Sequence, residues 1–344
     1  MKVVRYAAHY QQQLVADLDR AGLDAPLLRI ESYVRHYFLS YPGCQLHLLL
    51  NDQGRIAATL GSEQVKLRIG SETVDAAVLS NTCSLLPGAF PLLFLQWMKS
   101  SKIGLAFPGN ALLQHMFAKQ ARWRAIPGLR TYWLNWGYPV RPADPMWKKL
   151  LKPWVRRVKN IDTSTFAQRL RGHAPAGMVL HEESRFDDSM LCHSGAFGLH
   201  LEPDSAFLNW RFNTALDYVK YRIFRIQRHA RACGYVVIAE WPHCLVVSHG
   251  DGDDAQTLAY AILLAIACVN QGAQRYRKVL LSSMHADMLP IFLRFGFAPA
   301  PRETPFYMQD SENQAKGKEG HRDWLINLEL WEAGIMLGRV YKPL

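Results

Sequence analysis

Cysteine and histidine are the residue types through which this sequence could bind a metal ion or form a covalent intermediate. Among its 344 residues are 13 histidines and six cysteines, namely Cys44, Cys83, Cys192, Cys233, Cys244 and Cys268. No two cysteines form a CxxC pair, so neither a disulfide framework nor a zinc site is indicated. Cys192 and Cys244 each adjoin a histidine, but adjacent residues of a strand point to opposite faces. We predict reduced thiols, as is typical of the cytosol.

The loop His249–Asp254 is a second group of potential ligands, because it contains Asp251, Asp253 and Asp254. A calcium loop needs a fuller series of oxygen ligands and a closing glutamate. The following segment, Ala255–Gln271, has no acidic residue. We interpret the loop as a solvated turn followed by a helix cap, and the sequence as a whole predicts no metal site.

The elements that must position the reactive residues occur in a similar order twice. In the first half, Asp52-Gln53-Gly54 is typical of a β-hairpin turn between two apolar runs, and Asn110 stands at a predicted helix N-cap. The predicted order is four strands, a helix, a strand, a helix and a closing strand, over Gln45–Leu50, Arg55–Leu60, Val65–Ile69, Thr73–Leu79, Gly88–Lys102, Ile103–Phe107, Ala111–Gln120 and Leu129–Tyr138.

The second half repeats this order. Its predicted strands and helices cover Tyr221–His229, Gly234–Glu240, Cys244–Ser248, Ala255–Gln271, Val279–Ser283 and Asp287–Phe295. The helix at Ala255–Gln271 is apolar on all sides and must therefore be sandwiched, while Gly296 is predicted to end the last helix in the left-handed conformation. Neither the helix at Ala255–Gln271 nor the apolar stretch Leu85–Met98 is long enough to span a bilayer.

Charge indicates an acidic partner, since 40 basic residues against 29 acidic ones give a formal net charge of +11. Nucleic acid, a phosphate-rich cofactor, an acidic carrier protein and a membrane surface all meet that description. The densest basic run is Trp147–Lys159, which we predict to be a solvated linker helix, with attraction to an anionic partner as the alternative. The predicted domains are residues 1–140 and 161–310, joined by a basic, Pro-rich linker at 141–160 and followed by a polar loop and docking segment at 311–344.

Several short motifs carry a family resemblance that covers most of the chain. Leu105–Asn110 followed by Phe117–Trp123 is similar to an "fpN … F-x-K-x-G-W" segment, and Ile291–Phe297 is similar to "y-x-k-x-G-F". Phe207–Phe212 followed by Gly234–Val237 resembles the "fLxWRY … GYxv" pattern of tandem proteins from bacterial polysaccharide loci. Together they resemble the GNAT superfamily (GCN5-related N-acyltransferases). The resemblance implies an α/β fold of two tandem GNAT-like domains, each a mixed, partly antiparallel sheet flanked by helices.

The resemblance also implies a chemistry, which is transfer of an acyl group from coenzyme A or an acyl-carrier protein to an amine. The donor would lie where two parallel strands part, with its pyrophosphate at a helix N-terminus and its thioester oxyanion on backbone N–H groups. The implied donor-binding residues are Asn81, Thr82, Gly88, Ala89 and Asn110. The implied catalytic candidates are His115 and His47 as bases and Cys83 as a nucleophile, and Trp210 and Arg211 are candidate substrate-binding residues.

Departures from the family pattern keep two alternatives open. The loop Leu85–Pro91 retains one glycine of the usual Q/R-x-x-G-x-G/A motif, and Phe117 and Phe292 replace a tyrosine that often serves as general acid. One alternative is therefore a catalytically degenerate GNAT pair that acts as a scaffold or ligand-binding protein in a surface-polysaccharide or secondary-metabolite pathway. The other is an aminoacyl-tRNA-dependent transferase, with which the basic charge is compatible. The predicted location is the cytoplasm.

Overall fold

The computed structural model describes residues 1–99, 102–108, 111–120, 122–135, 145–158, 163–192, 196–242, 244–270, 276, 278–300, 306–310 and 323–326. The chain divides into two compact units. Unit 1 consists of Met1–Pro127, His200–Pro203 and Pro305–Glu319, and unit 2 of Gly128–Leu199, Asp204–Thr304 and Gly320–Leu344.

Both units contain strands and helices, with two short 3₁₀ turns at Ala8–Tyr10 and Asp188–Met190. The strands are β1 (Lys2–Arg5), β2 (Cys44–Leu50), β3 (Ile56–Ile69), β4 (Glu72–Ser84), β5 (Ile103–Ala106), β6 (Trp123–Ile126), β7 (Arg130–Asn135), β8 (Met178–Glu183), β9 (Leu199–Leu201), β10 (Lys220–Arg228), β11 (Arg231–Glu240), β12 (Cys244–Gly252), β13 (Lys278–Ser283), β14 (Ala298–Pro299), β15 (Phe306–Asp310) and β16 (Trp324–Leu325). The helices are α1 (Gln11–Arg20), α2 (Glu31–Leu39), α3 (Phe90–Met98), α4 (Ala111–Ala118), α5 (Met146–Val158), α6 (Thr163–Arg171), α7 (Ser205–Arg211), α8 (Ala255–Val269) and α9 (Leu289–Arg294).

The sheet of unit 1 runs in the order β1-β2-β3-β4-β5-β15-β6. Its neighbours are antiparallel except for β4 and β5, which are parallel. The hairpin predicted at Asp52–Gly54 is confirmed, because the Gly54 N–H donates to the Asn51 carbonyl at 2.9 Å and Gly54 has a φ of 73°. The four strands predicted in this region are three in the structure. Gln45–Leu50 is β2, Arg55–Leu60 and Val65–Ile69 are joined in the single long strand β3, and Thr73–Leu79 is part of β4, which follows the turn at Gly70.

Helices cover both faces of this sheet, as two neighbouring residues of β3 demonstrate. Ser62 accepts a hydrogen bond from Trp97 of α3 at 2.9 Å, whereas Glu63 accepts one from Tyr37 of α2. Because successive side chains of a strand point to opposite faces, α3 and α2 lie on opposite sides of the sheet. The α3 side carries an aromatic core in which Phe94 and Phe117 meet edge to face at 5.2 Å.

The sheet of unit 2 runs in the order β14-β7-β13-β12-β11-β10-β8 and packs against α8. This helix is buried over most of its surface, which confirms the prediction that it is sandwiched. The closing strand that the sequence suggests at Leu129–Tyr138 exists as β7, but it pairs antiparallel with β13 in unit 2. Conversely, β15 follows the second half in the chain and completes the sheet of unit 1.

The acidic loop differs from its interpretation as a solvated turn. β12 extends through Gly252, and Asp251 is only 5% exposed, so this part of the loop is buried strand. Asp254 does cap α8 as predicted, since its carboxylate accepts hydrogen bonds from the Thr257 N–H and hydroxyl, both at 2.7 Å. Within the described ranges, no cluster of three or more His, Cys, Asp or Glu residues could hold a metal ion, and no helix is long and apolar enough to cross a membrane.

Candidate functional site

The parallel strands β4 and β5 part after a short contact. They pair at three positions only, the last of which joins Val78 to Leu105. Beyond that point β4 stays paired with β3 as far as Ser84, while the last residue of β5, Ala106, pairs with Tyr307 of β15 and not with β4. Because each strand keeps its outer neighbour, the sheet divides into two arms with a gap between them.

A β-bulge interrupts β4 where it borders the gap. Gly61 pairs with Ser80 and Thr59 pairs with Cys83, so both Asn81 and Thr82 lie opposite the single residue between Thr59 and Gly61. Asn81 has a left-handed φ of 46°. Bulges leave backbone groups outside the regular ladder and re-aim them. This bulge is therefore where backbone N–H groups could stabilise an oxyanion held in the gap.

Gly61 is required for this arrangement. A Cβ at that position would lie 2.4 Å from the Ser80 hydroxyl oxygen and 2.8 Å from the Ser80 carbonyl oxygen. Both distances are far inside van der Waals contact, so any larger residue would push β3 and β4 apart at the bulge. The close approach of the two backbones fixes the bulge beside the gap.

The loop that follows β4 leads to an uncapped helix N-terminus. Ala89, at the N-cap of α3, makes no side-chain cap hydrogen bond, and the first turn has no acidic residue. Gly88 has a φ of 77° with open space where a Cβ would project. Pro91 in the first turn has no N–H, and the N–H groups of Ala89 and Leu92 donate to the carbonyls of Leu86 and Ala89, both at 3.2 Å. The feature that suits this helix end to an anion is therefore the positive end of the helix dipole.

Unit 2 repeats the gap but not the anion site. β12 and β13 pair in parallel from Cys244 to Val246, and β12 carries its own bulge around Ser248. At the start of α8, however, the carboxylate of Asp254 already occupies the helix N-terminus. Two more carboxylates, Asp251 and Asp253, precede it in the sequence. These negative charges disfavour a phosphate group. The two halves therefore differ in whether the helix N-terminus is free of carboxylates, as a nucleotide donor requires.

A buried polar cluster lies between the bulge and α2. The Asn81 side-chain amide donates to the Tyr33 hydroxyl at 2.9 Å, and the Thr59 hydroxyl donates to the Asn81 carbonyl at 2.8 Å. One turn further along α2, Tyr37 donates to the carboxylate of Glu63, which is 1% exposed. The sequence patterns did not predict this cluster, although the i, i+4 spacing of the two tyrosines places both on one face of a helix.

Ser80 adds a further hydroxyl near this cluster. It is 1% exposed, and its Oγ has no hydrogen-bond partner within the described residues. A buried hydroxyl without a partner costs free energy. The Ser80 hydroxyl is therefore a polar group with which a bound ligand could form a hydrogen bond.

His47, one of the candidate bases, lies on the opposite face of the sheet. It pairs with Leu60, the residue that faces the bulge, so it is two strand spacings, roughly 10 Å, from β4. Its imidazole lines a cavity of about 250 Å³ together with Gln45, Gln64 and Trp97. Burial, and secondarily the charge of Arg5, lower the pKa of His47 below its ordinary value.

This shift predicts a pH-dependent contribution to stability. The unfolded chain binds the His47 proton more readily than the folded chain, so the free energy of unfolding should fall as the pH drops below the ordinary histidine pKa of about 6.5. Replacing His47 with Gln should reduce this loss, measured by urea unfolding on both sides of that pH. His115→Gln, at an exposed position, should follow the wild-type curve. If the free energy of unfolding depends on pH in the same way in wild type and His47→Gln, then the lowered pKa of His47 does not contribute to stability.

The other predicted site residues are more scattered. Thr82 and Cys83 follow Asn81 on β4, whereas His115 is exposed on α4, and Asn110 lies outside the described residues. Phe117 is fully buried. The structure thus brings Asn81, Thr82, Cys83, Gly88 and Ala89 together along β4 and the loop after it.

Trp210 and Arg211 belong to unit 2. Both are buried in α7, and the Arg211 guanidinium lies 5.6 Å from the centre of the Phe212 ring. Trp210 packs against Phe207 with ring centres 5.5 Å apart. These contacts are those of packing residues, and their role in binding a substrate stays a prediction.

The divided sheets, each with a bulged inner strand, a loop and a following helix, define the chain's class as the tandem GNAT fold. Comparison with solved structures supports this. A tandem GNAT protein from the clavulanic acid biosynthesis pathway is 13% identical with a TM-score of 0.52, and the match covers 90% of this chain and 98% of that one. A GCN5-related N-acetyltransferase from Anabaena variabilis is also 13% identical with a TM-score of 0.52, over 90% and 72% of the two chains.

An N-myristoyltransferase from Saccharomyces cerevisiae, solved with bound myristoyl-CoA, is a more distant match in sequence. It is 8% identical with a TM-score of 0.56, over 90% of this chain and 82% of that one. No protein-family model and no curated protein sequence matches the chain. At these identities the likeness establishes the fold, and the chemistry must be argued from the residues.

Proposed function

We propose that the chain is an N-acyltransferase whose unit 1 binds an acyl-CoA in the gap between β4 and β5. The observation that carries this proposal is the combination of the parting strands, the bulge at Asn81 and the uncapped start of α3. The pyrophosphate would lie at the N-terminus of α3, where the helix dipole favours negative charge, and the pantetheine arm would run along β4 to the bulge. The yeast N-myristoyltransferase that shares the fold was solved with an acyl-CoA bound, which supports this choice of donor over an acyl-carrier protein.

The proposed reaction is a direct transfer. The nitrogen of a neutral amine attacks the thioester carbon, and the backbone N–H groups of the bulge stabilise the resulting oxyanion. The C–S bond then breaks, and the proton that the nitrogen loses passes to the departing thiolate, which leaves as the coenzyme A thiol. Because the donor's diphosphate would lie at α3, the acceptor would approach from the opposite face, which carries α2.

Glu63 and Tyr37 are the proposed proton acceptors on that face. A carboxylate hydrogen-bonded to a tyrosine can take a proton from the ammonium form of the acceptor through the hydroxyl, which leaves the amine neutral for attack, and general-base catalysis of this kind contributes typically 10²- to 10⁴-fold. Tyr33, bonded to Asn81, would hold the bulge in place. His47 faces the α3 side and remains the second candidate for the base, while Cys83 and His115 remain candidates from the sequence alone.

A substitution at Gly88 tests the donor site. Gly88→Asp would place a carboxylate beside the proposed pyrophosphate, as Asp254 does in unit 2, at a position with a positive φ that Asp and Asn tolerate best among side chains. Isothermal titration calorimetry should show affinity for acetyl-CoA or long-chain acyl-CoA falling about ten- to a hundredfold, which corresponds to about 1.4–2.8 kcal/mol.

Gly88→Asn is the matched control, because it adds nearly the same volume without the charge. It should bind acyl-CoA within a few-fold of wild type. Equal loss in both variants would show that bulk and not charge matters there, and no binding to the wild-type chain would reject acyl-CoA as the donor.

A non-catalytic role is the second candidate function. It is favoured by Phe117, which is fully buried and packs against Phe94 and Trp123 at the position where a GNAT tyrosine is often the general acid. A scaffold of this kind would bind acyl-CoA in the calorimeter and release no coenzyme A thiol with any amine. The proposed transferase releases the thiol with at least one class of amine.

A further inference from the structure

Helix α5 exposes an unusual amount of apolar surface. Its large apolar side chains, by exposed fraction, are Met146 (74%), Trp147 (58%), Leu150 (73%), Leu151 (46%) and Trp154 (62%). Other exposed large apolar residues in the described part of the chain are spread over several elements. Single exposed apolar residues are ordinary, but a contiguous patch marks an interaction surface.

These five side chains form one face of the helix. They stand at positions i, i+1, i+4, i+5 and i+8, the spacing that repeats on one side of an α-helix. Lys148 and Lys149 fall outside this stripe, and the Lys148 ammonium lies 5.3 Å from the centre of the Trp147 ring. The segment Trp147–Lys159 contains six basic residues and no acidic one. The helix thus carries an exposed apolar face, flanked by Lys148 and Lys149, in a segment of high positive charge.

We propose that α5 binds an anionic lipid surface, lying in its plane with the apolar face at the boundary between headgroups and acyl chains. Amphipathic helices with Lys and Arg on the polar face and Trp and Leu on the other are held there by apolar burial and attraction to anionic lipids. With 13 residues, α5 is too short to span a bilayer. Trp147 and Trp154 are of the residue type enriched at this boundary.

A lipid surface explains both the basic residues and the exposed apolar residues of α5, whereas nucleic acid explains only the basic residues. Basic groups would neutralise phosphates in either case, but nucleic acid would leave Leu150 and Leu151 in water. An acidic protein with an apolar groove is the remaining occupant, and it predicts no affinity for vesicles. The proposal is independent of the acyltransferase assignment, since it uses no residue of the gap.

Vesicle cosedimentation of the full chain tests this proposal. The wild-type chain should bind vesicles of phosphatidylglycerol mixed with phosphatidylcholine, bind phosphatidylcholine alone at least tenfold more weakly, and lose affinity as salt is raised. Leu150→Glu should weaken binding to the mixed vesicles at least tenfold. Leu293→Glu makes the same change at a residue of α9 that is also exposed, at 49%, and should bind like wild type.

Both substituted leucines are exposed, so both variants should keep the wild-type melting temperature, which a thermal scan can verify. Equal binding by Leu150→Glu and Leu293→Glu would overturn the proposal, because the lipid would then contact another surface. Absence of wild-type binding to the mixed vesicles, or equal binding to both vesicle types, would overturn it as well.

Discussion

Replacing Asn81 with alanine is expected to lower kcat about a hundredfold while the Kd for acyl-CoA changes by less than about threefold. Two hydrogen bonds of Asn81 hold the bulge in place. Its side-chain amide donates to the Tyr33 hydroxyl, and its backbone carbonyl accepts from the Thr59 hydroxyl. The variant loses the first bond and retains a left-handed φ that alanine disfavours, so the N–H groups that stabilise the oxyanion are displaced. Removal of one oxyanion donor typically costs 10²- to 10³-fold in kcat.

Tyr33→Phe distinguishes a positioning role from a direct one. It removes the same hydrogen bond from the other side and leaves Asn81 intact. If Asn81 acts through Tyr33, then each variant lowers kcat similarly and the double variant is no worse than either. Fully additive losses would mean that Asn81 does not act through Tyr33. Rates are measured as release of the coenzyme A thiol in the presence of an amine panel.

Glu63→Gln is expected to reduce kcat by at least a hundredfold, again with little change in the affinity for acyl-CoA. The amide is nearly isosteric with the carboxylate and can still meet the Tyr37 hydroxyl, but it cannot take a proton. The loss should shrink with acceptors that are less basic and are deprotonated at the assay pH. Raising the pH should restore activity for the same reason, since the amine then arrives neutral.

Glu72→Gln is the matched control, because Glu72 is an exposed carboxylate at the other end of β4. It should leave kcat unchanged. If Glu63→Gln is as active as Glu72→Gln, then Glu63 is a structural partner of Tyr37, and His47 becomes the leading candidate for the base. In that case, the kcat of the His47→Gln variant would test whether His47 is the base.

Much of the fold could be predicted from local sequence signals. Asp52-Gln53-Gly54 specified a hairpin turn, the apolar run Ala255–Gln271 specified a buried helix, and Asp254 specified its cap. These features depend on residues close together in the chain. The motifs around Phe117 and Gly296 then indicated the tandem order, and the solved structures support the resulting GNAT-like architecture.

Features that depend on distant pairing were not predictable in this way. Nothing in the aromatic pattern of β7 distinguishes pairing with β13 from pairing within unit 1, because either sheet would bury Tyr132 and Leu134 equally well. The bulge at Asn81 likewise arises from register, which only the paired strand β3 reveals.

The candidate site was predicted only in part, because some of its residues are brought together by pairing between distant parts of the chain. Asn81, Thr82, Gly88 and Ala89 follow one another closely and could be placed by resemblance. Glu63, in contrast, is a single carboxylate in a strand, and such residues are usually exposed. Its burial depends on Tyr37, which is 26 residues away in the sequence.

Hydrogen exchange of the full chain, with and without saturating acyl-CoA, tests the central claim most directly. If the donor occupies the gap, exchange should slow in peptides covering Leu79–Ala89 and Ile103–Phe107, on the two arms of the divided sheet and at the start of α3. The corresponding peptides of unit 2, around Ser248 and Asp254, should exchange as before. Protection confined to unit 2, or binding without protection of either arm in unit 1, would contradict the account.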